Sequence, residues 1–264
     1  MSGITKYTKS TIIAALKDIR SRGWIETTRN IHNDGAIGNT LEDLLGIAEN
    51  NLPIPNASEW ELKTQRRNTT ALLTLFHLEP SPRALHIADY LLSNYGWKHQ
   101  EAGKKYPEDT KSFRQTLSYK RPTARGFFVD IDYEDRKITV RFDSSKISDE
   151  LSDWKNMLTV NENIDYDYDY IPYWGFDELY HKAGIKLGNC FYVSADIKKE
   201  NGVYFYKYSE IMQLSGFSLD RFLCGIRAGN ILIDFDARSG HNHGTKFRIK
   251  QNAIPSLYEN IHRI

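Results

Sequence analysis

The run Asn56-Ala57-Ser58-Glu59-Trp60-Glu61-Leu62-Lys63, entered through Leu52-Pro53-Ile54-Pro55, constrains the fold of this 264-residue chain more than any other stretch. Read as a β-strand, it sends Trp60 and Leu62 to one face and Glu59, Glu61 and Lys63 to the other. The apolar face has to pack inward, which places the strand in a sheet covered on that side. The opposite face gathers carboxylates beside an ammonium, a set able to hold a hard divalent cation. Asn56 stands where a second metal-binding carboxylate would be expected.

Around this strand the chain alternates helical and extended patterns. Thr8 to Arg22 carries Ile12, Leu16 and Ile19 at helical spacing and stops at Gly23. A second helix is expected over Gly38 to Gly46, with Asn39 as its cap and Gly46 as its stop. Ala71 to His77 reads as an apolar strand ended by Pro80 and Pro82, followed by a helix from about Ala84 to Tyr95. Lys98 to Arg125 is polar, basic and poorly periodic, which predicts a solvated loop, part of it able to follow a phosphate backbone. Phe127 to Tyr133 and Lys137 to Phe142 alternate about Glu134-Asp135-Arg136 as a β-hairpin, and Ser148 to Leu158 predicts a short helix. Asp165-Tyr166-Asp167-Tyr168-Asp169-Tyr170 reads as an exposed edge or connector, because its charge repels nucleic acid. Further on come a helix over Trp174 to Lys182, strands over Cys190 to Asp196 and Val203 to Tyr208, and a helix over Ser218 to Arg227. Strands over Ile231 to Phe235 and Thr245 to Ile249 and a closing helix complete the pattern of an α/β or α+β fold. A lobe boundary is placed at 165/166. Trp24, Trp97, Trp154 and Trp174 are expected in the core.

Composition bounds the partners. Thirty-five Lys and Arg against 34 Asp and Glu leave a net charge of +1, so any attraction to an anion must come from clustering. Cys190 and Cys224 lie far apart in apolar surroundings, which predicts buried free thiols in a reducing cytoplasm and no disulfide framework. No signal-like apolar segment and no run of membrane-spanning length occurs, so a soluble cytoplasmic protein is expected.

Glu61 and Lys63 share a strand face about 7 Å apart along the chain. Hydrolysis of a phosphodiester needs an activated water and neutralisation of charge on phosphate and leaving oxygen. A Mg²⁺ ion on one or two carboxylates, with a neighbouring lysine, supplies both. Glu-x-Lys alone is a weak signal, since any solvated strand can carry it. It is accompanied here by Gly38-Asn39-Thr40-Leu41-Glu42-Asp43-Leu44-Leu45-Gly46, Glu49-Asn50-Asn51 and Leu73-Thr74-Leu75-Phe76-His77. Tyr173-Trp174-Gly175-Phe176-Asp177, Phe205-Tyr206-Lys207-Tyr208 and His241-Asn242-His243-Gly244-Thr245-Lys246-Phe247-Arg248-Ile249 follow in order. Together these segments resemble the MvaI/BcnI group of type II restriction endonucleases, relatives of the MutH mismatch-repair nickase, over nearly the whole chain.

The resemblance implies a PD-(D/E)xK nuclease core, a mixed sheet flanked by helices, in a MutH-like two-lobed fold with a DNA-binding cleft. Residues 1–165 would form the catalytic lobe, and residues 166–264 the rest of the core and the recognition lobe. It implies a monomer in a prokaryotic cytoplasm, without an obligate protein partner, that uses Mg²⁺ to nick double-stranded DNA one strand at a time. The site would be short and pseudo-palindromic, about five base pairs and CCNGG-like, with 5′-phosphate ends. By position, Glu61 is a metal ligand, Lys63 the catalytic lysine, Glu42 the accompanying helix carboxylate, and Asn56 occupies the place of the metal-binding Asp. An amide there removes a negative charge and weakens ion binding. Three explanations compete: an engineered inactive variant, which the intact surroundings favour; compensation by Glu59; or a natural DNA binder without activity. The alternatives of another kind are a non-cleaving sequence-specific DNA-binding protein and a MutH-type repair nickase.

Arg238, His241, His243, Lys246 and Arg248 fall in the stretch matching the family's recognition segment, and arginine suits guanine O6/N7. Arg66 and Arg67 follow the Glu61 strand and are candidates for phosphate contacts. His77 ends an apolar strand and is either a core histidine or a DNA contact. The His241-x-His243 pair lacks a visible third ligand for a metal.

Overall fold

The computed structural model describes residues 7–27, 29, 35–47, 60–67, 69–85, 87–160 and 172–264. In chain order the elements are α1 (Lys9–Ser21), β1 (Ile25–Glu26), α2 (Ala36–Leu45), β2 (Glu61–Arg66), β3 (Leu73–His77), α3 (Ile87–Tyr95) and β4 (Trp97–Lys98). They continue with β5 (Lys111–Leu117), β6 (Arg125–Asp132), β7 (Lys137–Ile147), α4 (Ser152–Val160), β8 (Tyr173–Gly175), α5 (Phe176–Leu187), β9 (Asn189–Glu200) and β10 (Val203–Phe217). The last are α6 (Leu219–Arg227), β11 (Ile231–Arg238), β12 (His241–Asn242), β13 (Lys246–Ile249) and β14 (Tyr258–Arg263). Contacts divide the chain into two interleaved units, Met1–Leu73 with Ala183–Arg221 and Lys250–Ile264, and Thr74–Lys182 with Phe222–Ile249. The boundary expected at 165/166 falls outside the described residues, as do Asn56, Glu59 and the Asp165 to Tyr170 alternation.

In the first unit, β1, β10, β9 and β2 form a mixed sheet in that order, with β14 also paired to β10. β2 runs parallel to β9, Glu61 opposite Cys190 and Lys63 opposite Tyr192. Strand alternation therefore sends Leu62, with Phe191, Val193 and Ala195, to one face, where α1 and α2 cover it through Ile12, Leu16, Ile19, Ile37, Leu41 and Leu45. Trp60 packs on Phe191 with ring centroids 4.7 Å apart. A bulge between Tyr208 and Glu210 shifts the parity of β10. Tyr206, Tyr208 and Ile211 thus all stay on the helix-covered side. The other face is left to Glu61, Lys63 and Gln65.

In the second unit, β3, β13, β11, β5 and β4 form a sheet with β12 paired to β11, and β6, β7 and β8 form a three-stranded one. Its core is aromatic: Phe113 meets Phe235 and Phe127, and Trp174 meets Phe247, at centroid distances of 5.3 to 5.6 Å. Trp174 Nε1 donates to the Leu78 carbonyl at 3.0 Å, which satisfies its only polar atom.

α1 follows its apolar period, with a Thr8–Thr11 capping box. α2 begins earlier than the Asn39 cap predicts. Ala36 and Ile37 extend the buried stripe of Thr40 and Leu41, and the Asn39 amide already donates to Gly35 inside the helix. The stretch from Lys98 to Arg125 is no loop throughout: β5 lies inside the second sheet because Phe113 and Leu117 are fully buried between polar neighbours. Arg125 is half-buried, its guanidinium 4.0 Å from the Trp97 ring and 4.7 Å from that of Trp154. Burial lowers its pKa from the usual arginine value. The chain closes with a strand instead of a helix. Pro255 keeps residues 251–257 in a tight 3₁₀ turn, after which Tyr258 to Arg263 pair with β10. Trp24 is 40% exposed under the Lys198 ammonium, not in the core. Cys190 is buried but Cys224 is exposed, since Phe222, Leu223 and Ile226 take the inward face of α6. Among the described residues no helix is long and apolar enough to cross a membrane.

Candidate active centre and nucleic-acid interface

Within the first unit Glu61 is buried, and its carboxylate lies between two ammonium groups. Lys63 Nζ donates to Glu61 Oε1 at 2.9 Å, and Lys186 Nζ, from the last turn of α5, stands 3.6 Å from Oε2. Glu61 Oε2 is buried and makes no hydrogen bond among the described residues. Behind the carboxylate, Cys190 and Tyr258 supply neutral surroundings. Burial, with the Glu61 charge adding to it, pushes the Cys190 thiol up to about 12 and the Tyr258 hydroxyl well above the ordinary tyrosine range. The charge of Glu61 is therefore balanced by lysines and not by the groups beneath it.

Glu42 lies in the last turn of α2, half-buried, and α2 packs on β2. Arg66, on the same face of β2 as Leu62, stands beside the Tyr206 hydroxyl and partly offsets the upward push of burial on its pKa. Alternation puts its guanidinium on the face opposite Lys63. Arg67 follows the strand, is exposed, and approaches Asp196 at 3.8 Å. With Thr69, Thr70, Tyr192 and Lys250 it lines a cavity of about 920 Å³. Tyr192 is the β9 partner of Lys63, so this cavity lies over the sheet face that carries the Glu61–Lys63 pair.

In the second unit β11 alternates Ile233, Phe235 and Ala237 inward with Asp234, Asp236 and Arg238 outward. The neighbouring strands fill this polar face: Arg248 Nη1 binds Asp234 at 2.8 Å, Lys246 Nζ binds Asp236 at 3.2 Å, and Arg114 Nε approaches Asp236 at 3.5 Å. Thr116 donates to the second Asp234 oxygen at 2.6 Å. The Arg238 guanidinium rests 4.5 Å above the Tyr106 ring and donates to the Ser239 carbonyl at 3.1 Å. Gly240, with φ of 72°, turns the chain into β12, placing His241 opposite Arg238.

His241 Nε2 and His243 Nδ1 are 3.3 Å apart, both rings exposed. His77 is exposed at the end of β3 and flanks the left-handed Gly244, where a Cβ would meet its ring at 3.3 Å. Glu79 accepts from the Thr245 amide at 2.7 Å and from its hydroxyl at 3.0 Å, fixing this segment. Arg238, His243, Tyr106, Arg114, Asp236 and His99 line a second cavity of about 460 Å³. His77, Arg238, His241, His243, Lys246 and Arg248 thus all belong to the second unit, and Glu42, Glu61, Lys63, Arg66 and Arg67 to the first. Among the described residues no three His, Cys, Asp or Glu side chains are gathered for a metal, which leaves the histidine pair without a third ligand. Lys186, Asp236 and Tyr106 escape the sequence reading, and Arg114 enters it only as one charge of the basic Lys98 to Arg125 stretch. The Asp234-x-Asp236-x-Arg238 alternation signals the polar strand face, whereas nothing local marks Lys186.

Residues 13–258 match the family model described as the MvaI/BcnI restriction endonuclease family. Among solved structures the chain is similar to "Restriction endonuclease MvaI-cognate DNA substrate complex", at 26% identity and a TM-score of 0.74 over 98% of this chain and 99% of that one. It is also similar to "Restriction endonuclease MvaI in the absence of DNA", at 27% identity and a TM-score of 0.56 over 100% of both chains. No curated protein sequence gives a significant match.

Proposed function

The chain belongs to the MvaI/BcnI restriction endonuclease family and is a type II site-specific deoxyribonuclease, and from that premise we propose that it hydrolyses double-stranded DNA with Mg²⁺ at the Glu61–Lys63 pair. The reading extends to a monomer that nicks one strand at a time at a short pseudo-palindromic, CCNGG-like site. The observation that supports it most is the buried Glu61 carboxylate, held between two ammonium groups on the polar face of its strand. Charged groups are rarely buried without a task, because desolvation is costly. A single carboxylate oxygen without a hydrogen bond also fits Mg²⁺, which takes one or two carboxylates and keeps waters and phosphate as its other ligands.

When bound, Mg²⁺ supplies Lewis-acid polarisation of the scissile phosphate and a more acidic water. The chain's own residues do the rest. Glu61 offers Oε2 as the anionic ligand. Lys63, tethered through Oε1, points its ammonium along the same face, where it orients the attacking water and neutralises the pentavalent phosphate. Arg67 and Lys250, at the rim of the adjoining cavity, suit flanking phosphates. In the second unit Arg238, already stacked on Tyr106, presents donors suited to guanine O6/N7, and His77, His241 and His243 offer exposed ring nitrogens. Lys246 and Arg248 neutralise aspartates of the same face and help to shape it. Glu42 completes the set as helix carboxylate, whereas Arg66, beside Tyr206 on the face opposite Lys63, is turned away from the phosphate path that Arg67 suits.

Asn56 lies outside the described residues and favours a second reading, a sequence-specific binder that cuts poorly. Plasmid digestion with Mg²⁺ separates the two. The Asn56→Asp protein is expected to give discrete fragments and the chain as written to give few or none. Absence of discrete fragments from the Asp form across varied DNA would sink the restriction-enzyme reading. Efficient cutting by the chain as written would remove the argument from Asn56.

A further inference from the structure

Lys186 has no counterpart in the Glu61-x-Lys63 signature, yet its ammonium reaches the same carboxylate from a different element, 125 positions along the chain from Glu61. Both side chains are well covered, Lys186 at 18% exposure and Glu61 at 6%. Lys63 engages Oε1 at 2.9 Å, whereas Lys186 faces Oε2 at 3.6 Å, outside hydrogen-bond range. The oxygen that makes no hydrogen bond among the described residues is the one facing Lys186, and it is the oxygen assigned above to the cation.

We propose that Lys186 is a positioning residue that holds Glu61 Oε2 in the metal-free protein and competes with the divalent cation for that oxygen. The inference rests on the reading of Glu61 as a metal ligand. Its physical basis is charge balance in a low-dielectric pocket. A buried carboxylate without a nearby cation pays the full cost of desolvation, and the neutral Cys190 and Tyr258 beneath it provide no relief. Lys63 alone covers one oxygen. Lys186 keeps the second correctly aimed until an ion arrives, after which its positive charge opposes the ion it made room for. The lysine therefore favours a preformed carboxylate at the expense of tight metal binding, which prevents occupancy before DNA adds its phosphate.

The test is direct titration with Mn²⁺, following the free-ion electron paramagnetic resonance signal, on the protein as it stands and on its Asn56→Asp form. Lys186→Met keeps the aliphatic stem and removes the charge. It should lower the Mn²⁺ concentration for half-occupancy about tenfold, and Lys186→Arg should stay near the parent. In thermal unfolding the Met protein should be less stable than the parent in EDTA and gain more from saturating Mn²⁺. Unchanged or weaker Mn²⁺ binding in Lys186→Met overturns the proposal, and weaker binding would point to a lysine that assists the ion. Circular dichroism checks the fold, and Lys186→Gln replaces the Met variant if it is lost. Unfolding of both neutral variants would make Lys186 a structural counter-ion and end the proposal. Glu61→Gln distinguishes the two levels of argument: parent-like Mn²⁺ affinity in that variant, or no Mn²⁺ binding by either parent form, removes the metal-centre reading itself.

Discussion

Arg248 sits in the recognition-like segment, but its guanidinium is engaged with Asp234 at 2.8 Å, and the two side chains are only 28% and 13% exposed. Arg248→Met would keep most of the aliphatic volume and leave Asp234 with the Thr116 hydroxyl as its remaining close hydrogen-bond donor. A charge-assisted hydrogen bond in such surroundings contributes about 1.5–3 kcal/mol, and partial exposure of the arginine argues for the middle of that range, about 2 kcal/mol. For a chain of this size each kcal/mol moves the midpoint by about 2–4 °C, so the melting temperature should fall by about 4–8 °C. Near-ultraviolet circular dichroism reports the change through Trp174, Trp97 and Trp154, all in the same unit as Arg248. A double-mutant cycle with Asp234→Asn should return a coupling of at least about 1 kcal/mol. If Arg248→Met instead melts within about 1 °C of the parent while losing DNA affinity, Arg248 is a DNA contact and the structural reasoning is wrong.

Arg238→Ala should cost about 1–3 kcal/mol of DNA affinity and relax the preference at one base pair, with little change in stability. Electrophoretic shifts on a randomised duplex pool measure both, and uniform weakening across sequences would assign Arg238 to phosphate instead. Cys190, pushed up to about 12 by burial, should resist a thiol reagent at pH 8 while the exposed Cys224 reacts. The native protein then titrates as one thiol and the denatured protein as two; two fast thiols in the native state would place Cys190 at the surface. Arg29 holds the Asp43 carboxyl below its usual range. A depressed carboxylate stabilises above its unfolded pKa, near 3.9, and that contribution fades as pH falls through its folded value. Arg29→Ala should therefore lose a small stability increment at pH 7 that vanishes in strong acid; an undiminished difference there would exclude the ion pair as its source.

Local patterns made much of the first unit legible. Ile12, Leu16 and Ile19 mark a helix by period alone, and Trp60 and Leu62 against Glu61 and Lys63 mark a two-faced strand. Segments whose partners are distant were harder. β5 looks like a solvated basic loop because only Phe113 and Leu117 carry its apolar face, and its place in the sheet depends on β11 and β4. Arg125 looks like a phosphate ligand until two tryptophans from separate elements enclose it. Lys186 is invisible for the same reason: a lone lysine on an amphipathic helix acquires meaning only when the fold brings Glu61 to it. The histidine segment was readable as polar and exposed, whereas the paired aspartates beneath it required the strand register.

The central claim is that Glu61 and Lys63 form a centre that cuts DNA at one recurring sequence. Run-off sequencing of plasmid exposed to Mg²⁺ and the Asn56→Asp protein, alongside the same protein carrying Lys63→Ala, tests it most directly. Breaks confined to one short motif in the first sample and absent from the second, with DNA binding retained by both, are predicted. Scattered breaks, or the same motif cut by the Lys63→Ala protein, would contradict the account.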